Sequence, residues 1–177
     1  LHDAEKRIGR SRWKTKSWVT CALSFGGWKQ EIMAPNRYTQ LFFLDEATAL
    51  SAGHRPCATC RRERFNAFVD AWRRGNAPQT PSLLVTQIDP VMHVDRLVPI
   101  SERDSTNVRD LPDGVMLTID GAALWLKWRD AIRRWTFEGY GRPVDLPHDR
   151  MVVVTPASTV EALRQGYVPT VHPSIQH

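Results

Sequence analysis

The sequence predicts an α+β protein, and three observations predict it. A four-residue apolar run, Leu41 to Leu44, leads into a short capped helix and a Cys-x-x-Cys turn, which together mark a small α/β module over residues 17–75. A helix with a single apolar stripe follows the cysteines and closes that module. From about residue 83 the chain changes character. Short strands separated by turn residues then fill an antiparallel-strand-rich region, residues 83–177, that ends in one helix.

Taken in order, residues 1–16 are polar and basic without periodicity, which predicts an extended arm. Ser17 to Phe25 alternates as a strand, Gly26-Gly27 turns, and Trp28 to Met33 returns as its hairpin partner. Cys21 then shares the apolar face of that strand with Val19, Leu23 and Phe25, so a packed thiol is expected. Leu41 to Leu44 reads as a buried strand. Asp45 caps a helix reaching Ala52, and Gly53 supplies its left-handed C-terminal residue.

The turn His54-Arg55-Pro56-Cys57-Ala58-Thr59-Cys60 follows, and two thiolates at that spacing can chelate one tetrahedral ion. Arg61 to Arg74 is a helix with Phe65, Phe68, Val69 and Trp72 on one stripe, ended by Gly75. Residues 76–82, with two prolines, form a linker. Ser82 to Ile88 reads as a helical turn or short strand that Asp89-Pro90 interrupts, and residues 101–113 as a polar loop. Val115 to Ile119 and Ala122 to Trp128 form a hairpin around Asp120-Gly121, with Ile132 to Phe137 as the third strand. Gly139, Gly141 and Pro143 mark a loop. Met151 to Val154 is an apolar strand, and Thr155-Pro156 starts the last helix, which stops at Gly166. Ala162-Leu163-x-x-Gly166-Tyr167-Val168-Pro169 echoes Ala49-Leu50-x-x-Gly53-His54-Arg55-Pro56, best explained as one local solution used twice.

Ala49-Leu50-x-x-Gly53-His54-Arg55-Pro56-Cys57-x-x-Cys60-Arg61, with Phe42-Phe43 before it, resembles the second half of the zinc-binding N-terminal domain of Ada-type DNA alkylation-repair proteins, over about residues 38–62. That family holds zinc with four cysteines, an early pair and this one. An early cysteine takes a methyl group from damaged DNA phosphate. The resemblance implies an Ada-like module with zinc at Cys57 and Cys60, Cys21 as a third ligand from the early segment, and DNA as partner. His54, three residues before Cys57, is offered as the fourth ligand, in a place where the family has an aromatic residue.

Composition bounds the function. The net charge is +5 and the pI about 9.4, which permits binding to polyanions. Arg55, Arg61, Arg62 and Arg64 crowd the cysteine turn and are the expected nucleic-acid contacts, with the basic arm beside them. Lys127, Arg129, Arg133 and Arg134 interleave with Trp125, Trp128 and Trp135, a mixture suited to phosphate contact and stacking, or simply to a solvated face over a tryptophan core. No apolar run is long enough for a membrane span and no leader is evident. Three cysteines make no disulfide framework, so a reducing cytoplasm is the expected home.

The leading expectation is therefore a zinc-binding protein with a structural metal that binds nucleic acid, DNA foremost. The alternatives are an enzyme acting on DNA or a phosphoester, with Cys21 as nucleophile or His93 with Asp95 (or His148 with Asp149) in the site, and a scaffold protein without metal. A zinc deaminase is excluded because neither His2 nor His54 has a glutamate two residues on.

Overall fold

The computed structural model describes residues 2–3, 5–27, 31–35, 37–147 and 150–176. It combines helices with a six-stranded antiparallel sheet and a C-terminal helix, an α+β fold.

The first strand, β1 (Val19–Thr20), is only two residues long. It pairs in parallel with β2 (Arg55–Pro56), and among the described residues no antiparallel hairpin partner pairs with it. Residues 31–33 form a turn, and Trp28 to Gln30 lie outside the described residues. Leu41 to Leu44 is not a strand either: Leu41 is 53% and Phe42 64% exposed. The apolar run is spent differently, since Leu44 packs on the sheet and Phe43 on His54.

Helix α1 (Glu46–Ser51) begins where predicted. Asp45 Oδ1 accepts the Thr48 N–H at 2.8 Å. Its end is a Schellman cap, with Gly53 at φ +79° donating to Leu50 and His54 donating to Ala49. The echo in the sequence is the same cap at the far end of the chain. Gly166, at φ +91°, donates to Leu163, and Tyr167 donates to Ala162.

Helix α2 (Arg62–Asn76) buries Phe68, Ala71 and Trp72. Gly75 lies inside this helix and does not end it. Helix α3 (Val85–Leu97) contains Pro90, so Asp89-Pro90 is no interruption. A helical proline forfeits one N–H bond, but burial of Ile88, Asp89, Met92 and His93 holds the turns on either side. At the start of α3, Gln87 Oε1 accepts the Leu84 N–H at 2.9 Å.

The sheet order is β3 (Ser105–Asn107), β8 (Arg150–Val153), β4 (Met116–Thr118), β5 (Leu124–Trp128), β6 (Ala131–Thr136), β7 (Gly139–Asp145). The expected polar loop thus contains an edge strand, and the expected glycine–proline loop is the other edge. Pro143 is tolerated in β7 because an edge strand needs only one side of its ladder. Between β4 and β5 the turn spans five residues, with Thr118 Oγ1 accepting the Gly121 N–H and Asp120 Oδ1 those of Ala122 and Ala123.

Alternate residues of β4 enter different cores, so this central strand is covered on both faces. Leu117 joins Leu50, Phe68, Trp72, Ile88, Met92 and Leu163. Met116 joins Ala47, Leu126, Tyr140 and Ile175. Residues from both halves of the sequence thus share the larger core. Trp125 packs against that core and Trp128 and Trp135 against the smaller, so each of these half-buried tryptophans has one side committed to packing.

Helix α4 (Ala157–Arg164) starts after Pro156, and its first turn is capped from α3, the Ser158 N–H donating to Asp95 Oδ2 at 2.9 Å. It runs so close to α2 that a Cβ on Gly75 would meet the Glu161 carbonyl oxygen at 2.9 Å. Replacing a helical glycine by alanine ordinarily gains about 0.5–1 kcal/mol. Gly75→Ala is expected to reverse that sign and cost about 1–3 kcal/mol through overpacking. Thermal unfolding checks this; a raised Tm would refute the close approach.

Candidate metal centre

Backbone pairing assembles the site. The Arg55 N–H donates to the Trp18 carbonyl and the Cys57 N–H to the Thr20 carbonyl, both at 3.1 Å. This parallel register sets Thr20 opposite Pro56, so the chains leave the ladder with Cys21 beside Cys57. One turn further on, the Arg61 N–H returns to the Cys57 carbonyl and brings Cys60 round to the same side.

The Sγ atoms of Cys21, Cys57 and Cys60 lie within 4.8 Å of one another, and all three cysteines are free. Tetrahedral zinc–thiolate bonds of about 2.3 Å imply sulfur separations near 3.8 Å. Small side-chain rotations therefore suffice to close the three thiols on one ion. Among the described residues this is the one group of three or more His, Cys, Asp or Glu that meets such a limit.

The second layer suits thiolates. The Ala22 N–H donates to Cys60 Sγ at 3.3 Å and the Thr59 N–H to Cys57 Sγ at 3.4 Å. Arg61 Nη2 donates to the Cys21 carbonyl at 3.3 Å, so one side chain bridges the two cysteine-bearing segments. Burial alone would raise the Cys57 thiol. The N–H groups of Cys60 and Thr59, with the neighbouring thiols, more than offset this and bring it to about 7. Burial and then the negative charge of Cys57 and Cys60 push Cys21 up to about 12. Metal ligation needs deprotonated thiols, so an ion bound here would release protons.

Two expectations about these residues change. Cys21 is exposed as a residue rather than packed on an apolar face, although its sulfur, turned towards Cys57 and Cys60, is partly withdrawn from water. His54 is not in the thiol group. Its ring sits 4.9 Å from that of Trp18 and 4.8 Å from that of Phe43. Burial, and secondly the charge of Arg96, lower its pKa to about 4. His54 is thus one ring of an aromatic cluster with Trp18 and Phe43.

The four arginines expected at nucleic acid divide. Arg55 is buried, its Nε and Nη2 donating to Asp89 Oδ1 and Oδ2 at 2.6 and 2.9 Å. Arg64 pairs with the buried Glu46 and lies over the Tyr167 ring. Arg61 is half-buried at the metal centre, and Arg62 is exposed. His93 and Asp95 form no acid–base pair: His93 stacks edge-on with Trp13 while Asp95 caps α4. His148 and Asp149 lie outside the described residues. The Asp89 partner of Arg55 escaped the sequence reading, since an aspartate before proline signals a turn.

His54 makes a pH prediction. Its folded pKa lies below the unfolded value of about 6.5. The unfolded chain therefore binds more protons, and stability falls as pH drops from about 6.5 towards 4, by up to about 3 kcal/mol. His54→Phe is expected to fold, keep metal and flatten this part of the stability–pH curve, as measured by denaturant unfolding of both proteins at pH 7, 5.5 and 4.5. Parallel curves would show that His54 does not titrate as argued.

No protein-family model, curated protein or solved structure matches this chain.

Proposed function

We propose that this is a zinc-binding protein that binds nucleic acid, DNA foremost, and that the metal fastens the Cys21 segment to the Cys57–Cys60 turn. The observation that carries the reading is the convergence of three thiols from two distant segments, with N–H donors on two of the sulfurs. An all-sulfur donor set is soft and favours zinc over magnesium or calcium, which prefer oxygen. When bound, zinc would supply a cross-link between segments that are otherwise joined by two backbone hydrogen bonds and by the Arg61 and Ala22 contacts. The local resemblance to the Ada-type domain points the same way.

Untagged protein analysed by plasma mass spectrometry should contain close to one zinc per chain. Cys57→Ser or Cys60→Ser should lose it. Loss of a structural zinc removes folding free energy, and at roughly 2–4 °C per kcal/mol the fall in Tm should be plain. A metal-free wild type with an unchanged Tm after chelation would overturn the zinc reading.

For nucleic acid, the support is the net charge of +5 and the exposed cations near the site. Arg62 and, on the arm, Arg10, Arg12, Lys14 and Lys16 are exposed. Affinity for duplex DNA should fall with salt at a log–log slope of about −0.9 per phosphate contacted. Arg62→Ala should flatten the slope by about one and weaken all sequences alike, as should removal of Lys14. Fluorescence anisotropy across a salt series reads this out, and no binding even at low ionic strength would remove nucleic acid as the partner.

A further inference from the structure

The donor count at the metal centre bears on how the coordination shell is completed, an inference that rests on the zinc reading. Structural zinc sites are closed by four protein ligands, whereas a site with three keeps its fourth position for a molecule from outside. Cys21, Cys57 and Cys60 supply three donors. Among the described residues no fourth His, Cys, Asp or Glu places a ligand atom in the group.

The nearest sequence candidate is withheld by packing. His54 is buried in its niche between Trp18 and Phe43, and turning it towards the thiols would abandon both ring contacts. The three cysteines also differ in depth. Cys57 and Cys60 are half-buried at the start of α2, while Cys21 is exposed, as are its neighbour Leu23 and Thr59 of the turn. The rim of the centre is therefore open, with no helix or strand laid across it among the described residues.

Chemistry narrows the visitor. Three thiolates make a soft set, which prefers a further soft donor to a carboxylate or an alcohol. Three thiolates with one divalent cation carry a net charge of −1, and a fourth thiolate would make it −2. Arg61, whose guanidinium already reaches the Cys21 carbonyl, supplies a positive charge beside the site to offset that increase, and its Nε is buried without a hydrogen-bond partner among the described residues. We infer that the metal held by Cys21, Cys57 and Cys60 takes its fourth donor from outside the chain, and that this donor is a low-molecular-weight thiol. The thiol R–SH loses its proton to solvent as its sulfur bonds the metal; no oxidant or reductant takes part.

The test uses the full chain loaded with cobalt(II) in place of zinc, in buffer whose only reductant is a phosphine. Cobalt reports its donors through visible d–d bands and near-ultraviolet sulfur charge-transfer bands. Titration with 2-mercaptoethanol should shift the d–d bands and raise the charge-transfer intensity by about a third, as three thiolates become four. It should saturate at one equivalent bound per cobalt. Acetate at the same concentration should leave the spectrum unchanged, and His54→Phe should respond as the wild type does. Arg61→Met should weaken thiol binding several-fold, read on the cobalt-loaded fraction of that variant. Cobalt that stays bound with a spectrum indifferent to millimolar thiol would mean that the chain supplies the fourth donor, and would overturn the inference while leaving the metal reading intact. A chain that takes up neither cobalt nor zinc would overturn both.

Discussion

The buried pair of Arg55 with Asp89 is the contact on which the rest of this architecture turns. The Nε–Nη2 edge of the guanidinium makes a bidentate fork, and the Ser17 hydroxyl donates to the same carboxylate. Three separate segments thus meet at one charge pair: the approach to β1, β2 itself, and the middle of α3. Breaking such a pair from one side typically costs about 3–5 kcal/mol, because the surviving charge is left buried and alone. Here the geometric consequence matters as much as the energy. β1 and β2 are two residues each, too short to hold a register unaided. The fork fixes β2, and the resulting register brings Cys21 to Cys57.

A second polar knot organises the opposite side of α1. Glu46 is buried, yet it accepts from the Tyr167 hydroxyl and the Thr170 N–H at 2.8 Å each and pairs with Arg64. Asp45 accepts from the Tyr140 hydroxyl at 2.7 Å and the His172 N–H at 3.0 Å while still capping the helix. Two adjacent carboxylates at a helix N-terminus are favoured by the exposed N–H groups there. The chain's last segment is drawn onto them, which closes the smaller core over the sheet. Burial first, and these carboxylates second, raise both tyrosine hydroxyls above the usual phenol range.

Part of the positive charge that makes the chain basic is committed to contacts within the fold. Arg96 lies over the Trp18 ring and donates to the carbonyls of Met92 and Lys16. Arg103 donates to the carbonyls of Val98, Val154 and Arg96. Both satisfy carbonyls at or just beyond the end of α3, where the helix dipole favours a cation. Net charge is therefore a poor measure of the surface offered to a polyanion. Arg62 and the N-terminal arm are exposed, as are Arg37, Arg74, Arg109, Arg129, Arg134, Arg142, Arg150 and Arg164, while Arg61 lies beside the candidate metal centre.

By itself the sequence determined whatever depends on neighbours along the chain. Asp45, Gly53 and Gly166 set their caps through local hydrogen bonds and the freedom of glycine at positive φ. Phe65, Phe68 and Trp72 set the buried face of α2 through the helical period, and the Cys57–Cys60 spacing set two of three thiols on one turn. What only the tertiary structure decided depends on partners far away in sequence. A two-residue parallel ladder has no periodic signature, so Cys21 was matched with a hairpin instead. Pro90 and Pro143 read as breaks because proline forfeits a hydrogen bond; the buried residues of α3 and the edge position of β7 make that loss bearable. Arg55 and Arg64 look in the sequence like any other surface cations. Only the positions of Asp89 and Glu46 in space, 34 and 18 residues away in the chain, bury the first and tie down the second.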